Sequence, residues 1–181
     1  MNQVFTVIWC SAKLSLFKIT MEEKKKIKIT DVNIGLQKAE KYCAYQERCQ
    51  KEVRNKLYEW GLYSSDVEKI ISQLIADNFL NEERFAKAFA GGKFRIKKWG
   101  KIKIKNELQK KNISVYSIKK ALQQLDDNDS KKNLKKMLDK KYPDFAKNKS
   151  KTEKYKAARY FLGKGYESEM VWKMLNIESE K

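Results

Sequence analysis

Between Lys93 and Lys111 the chain places nine basic side chains against one acid, and between Lys131 and Lys156 eleven against three. Ammonium groups at that density do one kind of chemistry well: they neutralise phosphates and displace their counterions, without reading bases. In the first block, which Lys93 opens, Lys97, Lys101 and Lys105, with Lys98 beside them, fall on one helical stripe next to an apolar stripe of Ile104 and Leu108. Such a stripe tracks a phosphate backbone, but a solvated helix face carries the same pattern, and both readings stand. Phe94 and Trp99 are interleaved with the lysines, where they either stack on exposed bases or pack in the core.

Catalysis has little to work with. No His is present to act as a base near neutral pH. Gly91-Gly92 lacks the Gly-Lys-Ser/Thr ending of a phosphate loop. The acidic run Asp126-Asp127-Asn128-Asp129 reads as a solvated loop in preference to a metal site. Cys43 and Cys49 are six apart, which matches no zinc spacing and places them on different faces of a helix; with Cys10 left over, the three read as reduced, buried thiols of a cytosolic protein. The expectation is a binding module, not an enzyme, with no metal and no cofactor.

The net charge is +18, unevenly spread: residues 1–92 carry 15 basic and 12 acidic side chains, residues 93–181 carry 26 and 11. A positive field of that size favours a polyanion as partner. Only five basic residues are Arg, and an excess of Lys is also what an AT-rich genome produces, so charge alone does not decide for nucleic acid. The apolar run Val4–Cys10 is too short to span a bilayer, and its lysines, Lys13 and Lys18, follow it instead of preceding it as in a signal peptide. Residues 1–20 read as an upstream extension of the frame or a disordered lead before Met21, and no membrane segment is expected.

The elements that position the lysines follow from an internal repeat. Lys56–Leu74 (KLYEWGLYSSDVEKIISQL) aligns without gaps on Glu107–Leu125 (ELQKKNISVYSIKKALQQL) at a shift of 51, and at a shift of 104 on Phe161–Leu175. Each copy ends one helix at a residue suited to a left-handed C-cap (Gly61, Asn112, Gly165), packs an apolar residue back and starts a second helix. Ser65 with Glu68, and Ser150 with Glu153, read as capping boxes. Upstream of each pair lies a further helical segment: residues 31–46 with Leu36, Ala39, Tyr42 and Cys43 on one face, 81–91 opening on Asn81 with Phe85, Ala88 and Phe89, and 129–142 with Leu134, Met137, Leu138 and Tyr142. The alternating WGKIKIK at Trp99–Lys105 looks like a strand, but the repeat puts Ile104 and Leu108 on the core face of a helix and leaves Ile102 half-exposed. The fold expected is all-α: three tandem three-helix, helix-turn-helix-like repeats at 31–78, 79–126 and 127–181, in an elongated, curved array behind a lead at 1–30. Linkers are expected at 91–93, 126–129 and 143–149.

The run Phe79–Ile113, FLNEERFAKAFAGGKFRIKKWGKIKIKNELQKKNI, resembles the signature of the RecX family of RecA regulators. Arg84, Phe85 and Ala86 match its R-F-A, and Gly100, Ile104, Glu107, Leu108, Lys111 and Ile113 match its G and I-x-x-E-L-x-x-K-G-I; Asn81-Glu82-Glu83 replaces the usual acidic pair and Asn112 the usual Gly. Arg48–Leu57 looks like the same family, and the likeness extends over roughly residues 31–176. The resemblance implies a cytoplasmic, monomeric modulator that binds the RecA–DNA filament along its groove, contacts single-stranded DNA without sequence preference, and mainly inhibits ATP hydrolysis, strand exchange and coprotease activity. Lys97, Lys101 and Lys105 would then face DNA or an acidic RecA surface, with Arg95 and Arg84 as further contacts. Arg84 has an alternative role, capping or pairing within its own unit. A DNA-binding helical protein of nucleoid or helix-turn-helix type that acts without RecA is the rival; its recognition helix would be Ser114–Leu125, which offers only Gln123 and Gln124 for base reading.

Overall fold

The computed structural model describes residues 29, 31–142 and 150–176; all structural statements below concern these. They form nine helices and no strand: α1 Val32–Tyr45, α2 Gln50–Trp60, α3 Ser64–Ala76, α4 Glu82–Lys97, α5 Lys101–Lys110, α6 Val115–Gln123, α7 Asp127–Lys141, α8 Lys151–Gly163 and α9 Ser168–Met174. They group in threes around three apolar cores. The first is built on Ala39, Val53, Leu57, Val67, Ile70 and Leu74, the second on Phe85, Ala90, Phe94, Ile104, Leu108, Ile118 and Ala121, the third on Leu134, Ala157, Ala158, Phe161, Val171 and Leu175.

The lysine–isoleucine stretch is helical. Ile104 and Leu108 have no exposed surface, and Ile102 is 44% exposed, so helical packing overrides the local alternation. Gly61, Asn112 and Gly165 all take the left-handed conformation, with φ of 97°, 60° and 85°. Asn81 caps α4 by accepting from the Arg84 N–H, and Ser150 and Glu153 form a reciprocal box at α8.

Several expectations need correction. Gly91-Gly92 is no linker but lies inside α4, whose buried face of Phe85, Ala86, Ala90 and Phe94 outweighs the roughly 1 kcal/mol per Gly lost in a helix interior. Asp126 caps α7, and Asp127 and Asp129 fill its first turn, where they suit the helix dipole, so the second linker is shorter than expected. The third, 143–149, lies outside the described residues, as does Cys10. Ser65 is not an N-cap: α3 starts at Ser64 after Tyr63, and Glu68 instead pairs with Arg54 of α2 at 2.8 Å. Ala88 is exposed. Cys43 and Cys49 do not share a helix, since Cys49 precedes α2; both are free and buried, and burial pushes the Cys43 thiol up to about 11.

One docking pattern recurs between units. The N-terminus of α5 meets the α8–α9 turn: Gly100 N–H donates to Lys164 O (2.9 Å) and Ile102 N–H to Gly165 O (3.1 Å). The backbones approach so closely that a Cβ on Gly100 would lie 2.1 Å from Gly165 O. At the corresponding place in the first unit, the start of α2 meets the α5–α6 turn, with Lys51 Nζ donating to Lys110 O and Glu52 pairing with Lys111 at 2.6 Å. The first unit's own turn receives the chain ahead of α1: Ile29 N–H donates to Trp60 O at 2.8 Å, and Trp60 is the repeat equivalent of Lys164. The start of α8 closes itself with the Ser150–Glu153 box.

Candidate nucleic-acid interface

The basic block 93–111 is divided by a turn. Helix α4 stops at Lys97, Lys98 is left-handed (φ 53°), and α5 starts at Lys101 behind Gly100. Lys97 and Lys98 therefore do not continue the stripe of Lys101 and Lys105: Lys97 ends α4, Lys98 lies in the turn, and Lys101 and Lys105 stand on α5. The signal was weak because nothing in a Lys-Lys-Trp-Gly run announces a left-handed lysine. The third unit supports that turn: Tyr166, its phenol pushed up to about 12 by burial and then by Tyr160, stays protonated and donates to Lys98 O at 3.1 Å.

The predicted residues have different surroundings. Lys97 and Lys105 are exposed and make no hydrogen bond or ion pair within the described residues. Arg95 is exposed, with its guanidinium alongside Gly91 on its own helix. Lys93 is half-buried, its ammonium 5.2 Å from the Phe89 ring centre and 5.3 Å from that of Trp99. Lys103 approaches Trp99 at 4.9 Å. Trp99 is itself half-buried against the second core, so its ring is occupied by packing and by two ammonium groups, the non-stacking reading. Lys101 is held by Asp127 at 2.6 Å, and the hydrogen bond, then the charge, of Lys101 holds the Asp127 carboxyl below its usual range.

Arg84 pairs, but mainly with the first unit instead of within its own. Its guanidinium donates to Glu47 (2.5 Å), to the Asn78 side chain (3.2 Å), and to the Asn78 and Phe79 carbonyls (2.9 and 3.3 Å). It ties the α1–α2 connection to the α3–α4 turn and satisfies carbonyls left over beyond α3. Arg84 is an organiser of the junction between the first two units.

The surface that the sequence pattern underweights is α7. Lys131, Lys132, Lys135, Lys136 and Lys140 of α7, whose core side is Leu134 and Leu138, are exposed; Lys132 pairs with Asp129 at 3.3 Å and Lys131 stands near Asp127, while Lys135, Lys136 and Lys140 have no acidic partner among the described residues. With Lys156 and Arg159 of α8, also exposed, these make the third unit a second basic surface. The signal was present as the eleven-to-three block, but no motif drew attention to it. Among the described residues no three His, Cys, Asp or Glu side chains converge to hold a metal, and no helix is long and apolar enough to cross a membrane.

Three three-helix units docked turn against helix start, with lysines exposed on the second and third, define a tandem helical-repeat protein with a basic surface. The first, second and third three-helix domains of RecX match residues 36–74, 81–122 and 129–175, in that order. The chain belongs to the RecX family. It is 32% identical over 138 residues to the Regulatory protein RecX of Clostridium tetani (strain Massachusetts / E88), covering 75% of this chain and 63% of that relative. It is 26% identical over 149 residues to that of Prosthecochloris aestuarii (strain DSM 271 / SK 413), covering 81% and 95%. The crystal structure of RecX from Lactobacillus salivarius shares the fold, with a TM-score of 0.70 at 22% identity over 80% of this chain and 94% of the other. The chain thus spans less than two thirds of the Clostridium tetani protein.

Proposed function

We propose that this protein is a regulator that acts by binding: it lies in the groove of the RecA–DNA filament and modulates, mainly by inhibition, the ATPase, strand exchange and coprotease activities of RecA. The observation that carries the reading is the ordered match of all three repeats to the RecX domains, together with lysines on the second and third units, such as Lys97 and Lys105, that have no partner among the described residues. A row of helical units with a basic side suits a groove that contains both protein and phosphate. Lys97, Lys101, Lys105, Lys98, Lys93 and Arg95 form the filament-facing set on the second unit, and the α7 lysines extend it. The protein acts in the cytoplasm as a monomer and contacts single-stranded DNA without sequence preference, because phosphate contacts carry no base information.

Changing Lys97, Lys101 and Lys105 together to Glu tests the assignment. The expected outcome is loss of RecA inhibition with the helical circular-dichroism signal retained. Full inhibition by the triple variant would remove these lysines from the interface.

A further inference from the structure

The α5–α6 side of the second unit carries a groove of about 420 Å³. Val115, Ile118 and Leu122, at i, i+3 and i+7 on α6, form its apolar floor. Lys101, Lys105 and Lys119, with Gln123, stand around it, and no acid lines it. Val115 is 76% exposed and opens a helix whose Ile118 and Ala121 pack inward; its neighbour Tyr116 is 62% exposed. Lys105 and Lys119 have no partner within the described residues, while Lys101 holds Asp127.

These surroundings do not suit a phosphate. An anion lowered onto Val115 and Leu122 loses hydration without gaining donors from the floor. The solvent side of α7 is different in kind: Lys135, Lys136 and Lys140 are exposed there, on a helix whose core side is Leu134 and Leu138. A trough between two helices, apolar at the bottom and cationic on its edges, has the complement of an amphipathic helix with carboxylates flanking its apolar face.

We propose that the α5–α6 groove receives an acidic amphipathic helix of a protein partner. Its apolar side chains rest on Val115, Ile118 and Leu122, and its carboxylates pair with Lys105 and Lys119. The inference rests on the filament-regulator reading and divides that interface by chemistry: Lys105 and Lys119 serve the protein component of the filament, and the α7 lysines serve its DNA. It also accounts for an α6 that carries only Gln123 for base reading and yet exposes Val115 in its first turn.

The test uses the full chain with three substitutions, Val115→Ser, Val115→Leu and the pair Lys105→Gln with Lys119→Gln. Affinity is measured for the cognate RecA filament and, separately, for bare single-stranded DNA across a salt series. Val115→Ser is neutral at an exposed position, so it removes apolar contact without adding charge. It should weaken filament binding about fivefold or more, whereas Val115→Leu should retain it. The lysine pair should weaken filament binding while leaving the salt slope on bare DNA unchanged. Filament affinity equal to wild type in all variants would overturn the proposal. So would a slope on bare DNA reduced by about 0.7 for each lysine removed, which would make the groove a phosphate site. Self-association of the wild type that Val115→Ser abolishes would give the groove to a second copy and also overturn it. If the wild type itself fails to bind the filament, the regulator reading falls, and the groove's partner with it.

Discussion

Leu108 has no exposed surface and fills the second core between α4, α5 and α6. Leu108→Ala should cost about 2–5 kcal/mol, read from denaturant unfolding; a loss under 1 kcal/mol would mean that the site collapses around the missing atoms. Glu82 gives the pH dependence. Burial alone would raise its carboxyl, but hydrogen bonds from Ser114 and Ser117 outweigh burial and lower it from its ordinary 4.5. A carboxyl depressed by folding contributes fully above its unfolded value, and the contribution disappears as pH falls through the folded one. Glu82→Gln should therefore flatten the acid limb of stability below about pH 4.5; superimposable acid limbs would contradict the assignment. At this scale the sequence was readable where one covalent feature decides the conformation. Repeat register separated buried Ile104 from half-exposed Ile102, and the left-handed residues at 61, 112 and 165 were visible as Gly or Asn. It was unreadable where a partner from another element decides: Arg54 takes the Glu68 carboxylate, and Glu47 and Asn78 engage Arg84.

The helices meet through a rule that periodicity does not display. A helix start meets the turn that ends a helix in the following unit: between the second and third units through its free N–H groups, which satisfies orphan groups of both elements, and between the first and second through Lys51 and Glu52 side chains. Between the second and third units this needs two glycines, Gly100 to let the chains approach and Gly165 for approach and its φ of 85°. Gly165→Ala would place a Cβ 2.3 Å from that of Lys103 and force an L residue into the left-handed region, itself a cost of about 1–2 kcal/mol. Hydrogen exchange should then accelerate at Gly100 and Ile102 while the first unit keeps its protection; unchanged exchange at both amides would show that the junction tolerates the side chain. The sequence marked Gly165 as a cap but gave no sign that its turn closes another unit's helix. Ile29, which meets the first unit's turn in the same way, carried no signal beyond being apolar.

For the molecule as a whole the decisive quantity is where the +18 charge is exposed. The sequence located the basic half correctly. It merged Lys97, Lys98, Lys101 and Lys105 into one stripe because the turn at Lys98 is written in helix-forming residues, and it passed over the more open lysine face of α7. If that face follows a phosphate backbone, changing Lys135, Lys136 and Lys140 to Gln should reduce the salt slope of single-stranded DNA binding by about 2, near 0.7 for each ammonium group replaced. An unchanged slope would make the face a solvated surface. The central claim is that the protein regulates RecA from within its filament, and the most direct measurement is the ATPase of the cognate RecA on single-stranded DNA as this protein is added. The account predicts inhibition at well below one molecule per RecA monomer. No effect at any ratio, with binding to bare DNA intact, would contradict it and leave a DNA-binding protein that acts without RecA.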